Sequence, residues 1–228
     1  MQKIGVLGGS FNPVHNGHLR LALEAVERLG LDRVELVPAA RPPHKPETDL
    51  LGFEARASLL KEAVSGLPRL VVNPLEGARQ GPSYTFHTLE AYRALFPGDE
   101  IFFILGTGDL LTLPAWFRGL ELIDLANLAV GARPHVLAAD PEFSRVQEFV
   151  DGHWPQAALD EGGAVWNFPS GNRLIYLEIP RLDISAAYVR ERWSKGQSIR
   201  GLVPESVEQA LFLMRSEVSK AWTGLGGE

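Results

Sequence analysis

Gly8-Gly9-Ser10-Phe11-Asn12-Pro13-Val14-His15-Asn16-Gly17-His18-Leu19 follows directly on the apolar run Ile4-Gly5-Val6-Leu7, and it opens a stretch with Leu19, Ala22, Leu23, Val26 and Leu29 on one helical face. The reading is strand, glycine-rich turn, helix. Gly8 and Gly9 put no β-carbon over the backbone, so a phosphate can approach main-chain N–H groups at the positive end of the helix. Ser10, Phe11 and Asn12 complete the turn. His15 and His18 are three residues apart at the helix start, so both sit on one face and can point at one phosphate. A histidine there donates to a phosphoryl oxygen in either protonation state. With no third ligand beside them, the pair does not read as a metal site.

Outward from this turn, apolar runs and helical patterns alternate as repeated βαβ units. Residues 3–7, 33–38, 69–73, 100–105, 127–131 and 173–178 read as strands, and 17–29, 53–65, 85–96, 120–125, 186–195 and 204–215 as helices. Continuous apolar strands such as Ile101-Phe102-Phe103-Ile104-Leu105 suit a parallel sheet covered by helices on both faces. Ligands in such α/β sheets bind at the carboxyl ends of the strands. Residues 134–172, rich in proline and glycine, read as loops around one helix at 142–150, and 219–228 as a tail. Residues 1–218 are expected to form a single domain, with 173–218 as its C-terminal part.

The 228 residues are 45% hydrophobic, enough for a substantial core. There are 22 basic and 28 acidic residues, a net charge of −6, which argues against a nucleic-acid partner. The absence of cysteine excludes disulfides, thiolate metal sites and cysteine nucleophiles. No apolar run approaches 18 residues and the chain begins without a signal peptide, so no membrane association and a cytoplasmic location are expected.

Four further stretches carry groups suited to small anions. Arg41-Pro42-Pro43-His44-Lys45-Pro46 is a stiff loop beyond a strand end with three basic groups. Before the helix at 85–96, Ser83 or Thr85 is a candidate N-cap, and the helix start near Tyr84 suits a small carboxylate. Gly106-Thr107-Gly108-Asp109 follows a strand and invites close approach of a ligand. Just after it, Trp116 offers a flat face for stacking. Asp109 either swings into the site or caps a short helix at Leu110. Ile184-Ser185 opens a late helix carrying Arg190, a second phosphate clamp.

These motifs, in this order, resemble those of one family. Gly8–Leu19 is similar to the H-x-G-H signature of the nucleotidyltransferase superfamily. Together with Pro42–Lys45, Pro82–Thr85, Gly106–Phe117, Arg133-Pro134 and Ile184-Ser185 with Arg190, it resembles the bacterial nicotinate-nucleotide adenylyltransferases. The resemblance implies a Rossmann-like nucleotidyltransferase fold and transfer of an adenylyl group from ATP to nicotinate mononucleotide (NaMN). It also implies in-line attack without a covalent intermediate, and Mg²⁺ that arrives with ATP and has no protein metal site.

On the ATP side it implies Gly8, Gly9, Ser10, Phe11, His15, His18, Gly106, Arg133, Ile184, Ser185 and Arg190. On the NaMN side it implies Asn12, His44, Lys45, Ser83, Tyr84, Thr85, Asp109 and Trp116. His15, His18, Lys45 and Arg190 would carry the catalysis. A homo-oligomer is left open. Three positions depart from the family pattern: Asn12 stands where Asp is usual, the acid after Gly106 is displaced to Asp109, and Ala187 replaces a hydroxyl.

Overall fold

All six residues of the strand Asn127–Ala132 are buried. Successive side chains point to opposite faces, so both faces of this strand are covered. In the computed structural model, which describes residues 1–43, 50–132 and 141–223, it belongs to an eight-stranded sheet. The elements in chain order begin β1 (Lys3–Gly9), α1 (Asn16–Leu29), β2 (Arg33–Pro38), α2 (Phe53–Val64), β3 (Leu70–Val72), α3 (Thr85–Leu95), β4 (Glu100–Gly106), α4 (Thr107–Thr112) and α5 (Leu122–Leu125). They continue β5 (Asn127–Ala132), α6 (Pro141–His153), β6 (Ala158–Leu159), β7 (Val165–Asn167), β8 (Arg173–Glu178), α7 (Ala186–Ser194), α8 (Glu205–Leu213) and α9 (Arg215–Thr223).

The strand order is β3-β2-β1-β4-β5-β8-β7-β6. β1 and β4 pair in parallel with Val6 opposite Phe103, and β4–β5 and β5–β8 are parallel as well. The order reverses between β1 and β4, and a doubly wound sheet opens its ligand crevice at that point. Gly8 and Gly106 lie at the carboxyl ends of those two strands.

The chain divides into two compact units. The first comprises Met1–Gly8, Leu21–Glu35 and Tyr84–Arg181. Its core includes Ile4, Val6, Phe102, Leu128, Val130, Trp166 and Leu174. Packing there leaves no room for a side chain at Gly5, where a β-carbon would fall 2.7 Å from Val34 and 2.9 Å from Ile104. Tyr92 donates to the buried Glu35 carboxylate at 2.7 Å, which satisfies a polar pair inside the core. The second unit comprises Gly9–Arg20, Leu36–Ser83 and Leu182–Glu228, and it buries Phe11, Val14, Leu51, Leu60, Val189, Val207, Leu211 and Val218. Among the described residues no helix is long and apolar enough to cross a membrane.

Three expectations from the sequence need correction. Residues expected as loops after 142–150 contain β6 and β7, which pair antiparallel with each other and with β8. The sheet is therefore mostly parallel with an antiparallel edge. Asp160 closes this edge: its carboxylate accepts from the N–H groups of Ala164 and Val165 at 3.1 Å each, and these bonds hold it below the usual aspartate range. The helix expected over 142–150 runs from Pro141 to His153. Of the expected tail, residues 219–223 belong to α9, which the fully buried Val218 anchors.

Candidate active site

In the second unit the turn after β1 is built around two stacked rings. His15 and His18 lie with centroids 3.6 Å apart and planes at 24°, and Phe11 meets His18 edge-on at 5.0 Å. Phe11 takes φ +45°, a left-handed conformation costly for an aromatic residue, and its ring is 1% exposed. Burial of that ring offsets the strain. Gly9 allows it, because a β-carbon there would stand 3.2 Å from the Phe11 ring.

Gly17 has a comparable reason. Its β-carbon would sit 3.0 Å from His15 Nδ1 and 3.6 Å from the Ile184 carbonyl oxygen. His18 Nδ1 accepts the His15 backbone N–H at 3.2 Å. This bond occupies one orphan donor at the helix start. With Nδ1 accepting, a neutral His18 ring carries its proton on Nε2.

Below the turn a set of hydrogen bonds holds its backbone. Arg56 is 1% exposed, and its guanidinium donates to Leu51 O at 2.9 Å and Ser10 O at 2.7 Å. Burial pushes its pKa below the usual arginine value, while the nearby Glu76 opposes that shift. Asn12 is also 1% exposed; its Oδ1 accepts from Leu51 N–H at 3.1 Å and from the Trp222 indole at 3.2 Å. Arg190 Nη1 donates to the Asn12 carbonyl oxygen at 2.9 Å. Arg190 rides on α7, whose N-cap is Ser185, with Oγ accepting from Tyr188 N–H at 3.1 Å. The structure thus gathers Gly9, Ser10, Phe11, Asn12, His15, His18, Ile184, Ser185 and Arg190 in this unit.

Ser83 is in the same unit. It exchanges two bonds with Arg41: Arg41 N–H donates to Ser83 Oγ and Ser83 N–H to Arg41 O, both at 2.9 Å. Neither Ser83 nor Thr85 caps α3. The N-cap is Tyr84, whose side chain makes no capping bond to α3. His44, Lys45 and Arg133 lie outside the described residues.

In the first unit, Tyr84 stacks on Phe117 at 4.6 Å with planes at 24°, and His87 lies 5.3 Å from the same ring. Arg118 lies over Phe86 at 3.8 Å and pairs with Glu121, which raises the arginine pKa and lowers that of the carboxylate. Trp116 precedes Phe117. Its Nε1 donates to Thr112 Oγ1 at 3.2 Å, and its partly exposed face meets no other aromatic ring among the described residues. Gly8 has open space above it, the nearest atom to a β-carbon being on Phe103 at 3.8 Å. Asp109 does not cap a helix at Leu110, because α4 already begins at Thr107. It is the third residue of that helix, exposed, with its carboxylate 3.7 Å from where a Gly106 β-carbon would stand.

Phe117, Arg56 and Trp222 were not foreseen. Each acts through a partner distant in sequence, and no local spacing marks such pairs.

A glycine turn with paired histidines follows β1, one of the two strands between which the order of the doubly wound sheet reverses, and such a turn suits a phosphate-bearing ligand. Residues 6–192 match the Cytidylyltransferase-like family. A relative from Trichlorobacter lovleyi, named "Probable nicotinate-nucleotide adenylyltransferase", is 41% identical over 90% of this chain and 94% of its own. A relative of the same name from Pseudomonas putida is 38% identical over 91% of both chains. The solved Plasmodium falciparum nicotinic acid mononucleotide adenylyltransferase complexed with NaAD shares the fold, with TM-score 0.70 and 17% identity over 95% of this chain and 98% of that one. The chain belongs to the nicotinate-nucleotide adenylyltransferase family.

Proposed function

We propose that this chain transfers the adenylyl group of ATP to NaMN, forming nicotinate adenine dinucleotide (NaAD) and pyrophosphate. The 5′-phosphate oxygen of NaMN attacks the α-phosphorus of ATP. A new P–O bond forms as the bond to the departing pyrophosphate breaks, so no covalent enzyme intermediate is needed. The nucleophile is already anionic, and the protein supplies positioning and stabilisation of charge on the α-phosphoryl oxygens.

The observation that carries this reading is the stacked His15–His18 pair at the start of α1, right after the glycine turn that follows β1. Around the phosphates we assign Gly8, Gly9, Ser10, Phe11, Gly106, Arg133, Ile184, Ser185 and Arg190, with His15, His18, Lys45 and Arg190 as the charge-stabilising groups. For NaMN we assign Trp116 to the pyridine ring, Tyr84 and Thr85 to its carboxylate, and His44, Lys45, Ser83 and Asp109 to the remainder, while the buried Asn12 acts through the turn it holds. The start of α3, where the N-cap Tyr84 makes no side-chain capping bond, supports a carboxylate ligand, since helix-start N–H groups favour an anion. Among the described residues no group of three or more acidic or histidine side chains could hold a metal. We assign Mg²⁺ to the nucleotide substrate, as the family resemblance implies. The net charge of −6 supports small nucleotides as partners in preference to nucleic acid. Dependence on ATP makes the cytoplasm its site of action.

Pyrophosphate release from ATP, measured with a panel of acceptor nucleotides, tests the reading. The expected kcat/KM for NaMN exceeds that for nicotinamide mononucleotide by about tenfold or more, equivalent to about 1.4 kcal/mol. Equal rates with both acceptors would overturn the carboxylate assignment.

A further inference from the structure

We propose that Trp222 is a positioning residue of the reaction, holding the turn after β1 through the side chain of Asn12; this rests on the adenylyl-transfer reading above. Asn12 sits in the middle of that turn, with 1% of its surface exposed. Its Oδ1 accepts from two groups that can only donate, the Leu51 backbone N–H at 3.1 Å and the Trp222 indole at 3.2 Å. Two donors on one amide oxygen fill its two lone pairs and fix which way the amide faces.

The carbonyl oxygen of the same residue takes Arg190 from α7 at 2.9 Å. Three residues beyond Arg190, Trp193 meets Trp222 edge-on at 6.0 Å. Helices α7 and α9 therefore reach Asn12 together, one at its main chain and the other at its side chain. A burial this complete makes Asn12 an anchor of the turn, and Trp222, 210 residues away in sequence, the bond that sets it. Resemblance to the family predicts Asp at this position. Asn accepts the same two bonds without burying a charge.

The full-length protein and its Trp222→Phe variant separate this from a packing role, because phenylalanine keeps an aromatic ring and loses only the donor. The measurements are KM for ATP, kcat, equilibrium titration with ATP alone, and Tm. Trp222→Phe is expected to weaken ATP binding about threefold to tenfold, the effect of one lost hydrogen bond, with a smaller change in kcat and a Tm shift within about 4 °C. In an Asn12→Ala background the same substitution is expected to add nothing. Should Asn12→Ala fail to fold, Asn12→Asp serves: its charged oxygen makes the Trp222→Phe effect larger.

Unchanged ATP affinity in Trp222→Phe overturns the proposal, as does an effect of equal size in both backgrounds. No turnover of ATP with NaMN by the unsubstituted protein overturns the functional reading instead, and the ATP titration still reads the contribution of Trp222.

Discussion

The histidine turn in the second unit and the aromatic corner in the first hold their side chains by different means. Around the turn, Phe11, Asn12, His15 and Arg56 are all buried; Arg56 and Arg190 bond to its backbone and Leu51 and Trp222 to the Asn12 side chain, all before any ligand arrives. At the corner, Phe117 is 43% exposed, Tyr84 leans on it, and α3 begins without a side-chain cap. The contrast matches two tasks. Stabilising charge that develops during a reaction requires donors that need no reorganisation. Gripping a flat ring requires an open face, and stacking tolerates small displacement.

If the turn serves the transition state, His18→Ala is expected to lower kcat by roughly 10²-fold, with a much smaller change in ATP affinity. Steady-state kinetics with both substrates varied check this; a change confined to KM would erase the contrast with the corner. At the corner the split should run the other way. Trp116→Ala is expected to raise KM for NaMN about tenfold, as loss of a base-stacking face does, and to leave KM for ATP nearly unchanged. A loss of Tm with both KM values altered would assign Trp116 to the core. The smallest effect is expected at the end of β4. Asp109 is exposed in the first turn of α4, where one hydrogen bond is at stake, so Asp109→Ala should lower kcat/KM by about threefold to tenfold. A fall in Tm with normal kinetics would make it solely a helix-start carboxylate.

The parts of the fold that could be read from the sequence are those that are buried throughout. β1, β4, β5 and β8 appear as apolar runs because parallel strands covered on both faces need no polar side. β6 and β7, of two and three residues, are too short to show any period, and they lie among turns such as the one closed by Asp160. α9 was hidden because Arg215, Ser216, Glu217 and Lys220 make most of it polar, leaving Val218 and Trp222 to mark its inner side. In the candidate site, the two histidines and the Ser185 cap follow from spacing along the chain. The Tyr84–Phe117 stack and the bonds of Arg56 to Ser10 and of Trp222 to Asn12 join residues 33 to 210 positions apart, which spacing alone does not reveal.

The clearance at Gly17 changes what the signature H-x-G-H means. Its glycine gives room to a neighbouring ring, since a methyl group there would press on His15 at 3.0 Å. In a chain carrying both histidines with alanine between them, the first ring would have to give way by a few tenths of an ångström against the second. Two histidines at this spacing therefore do not suffice to define the motif, and the residue that determines their mutual pose is the one without a side chain.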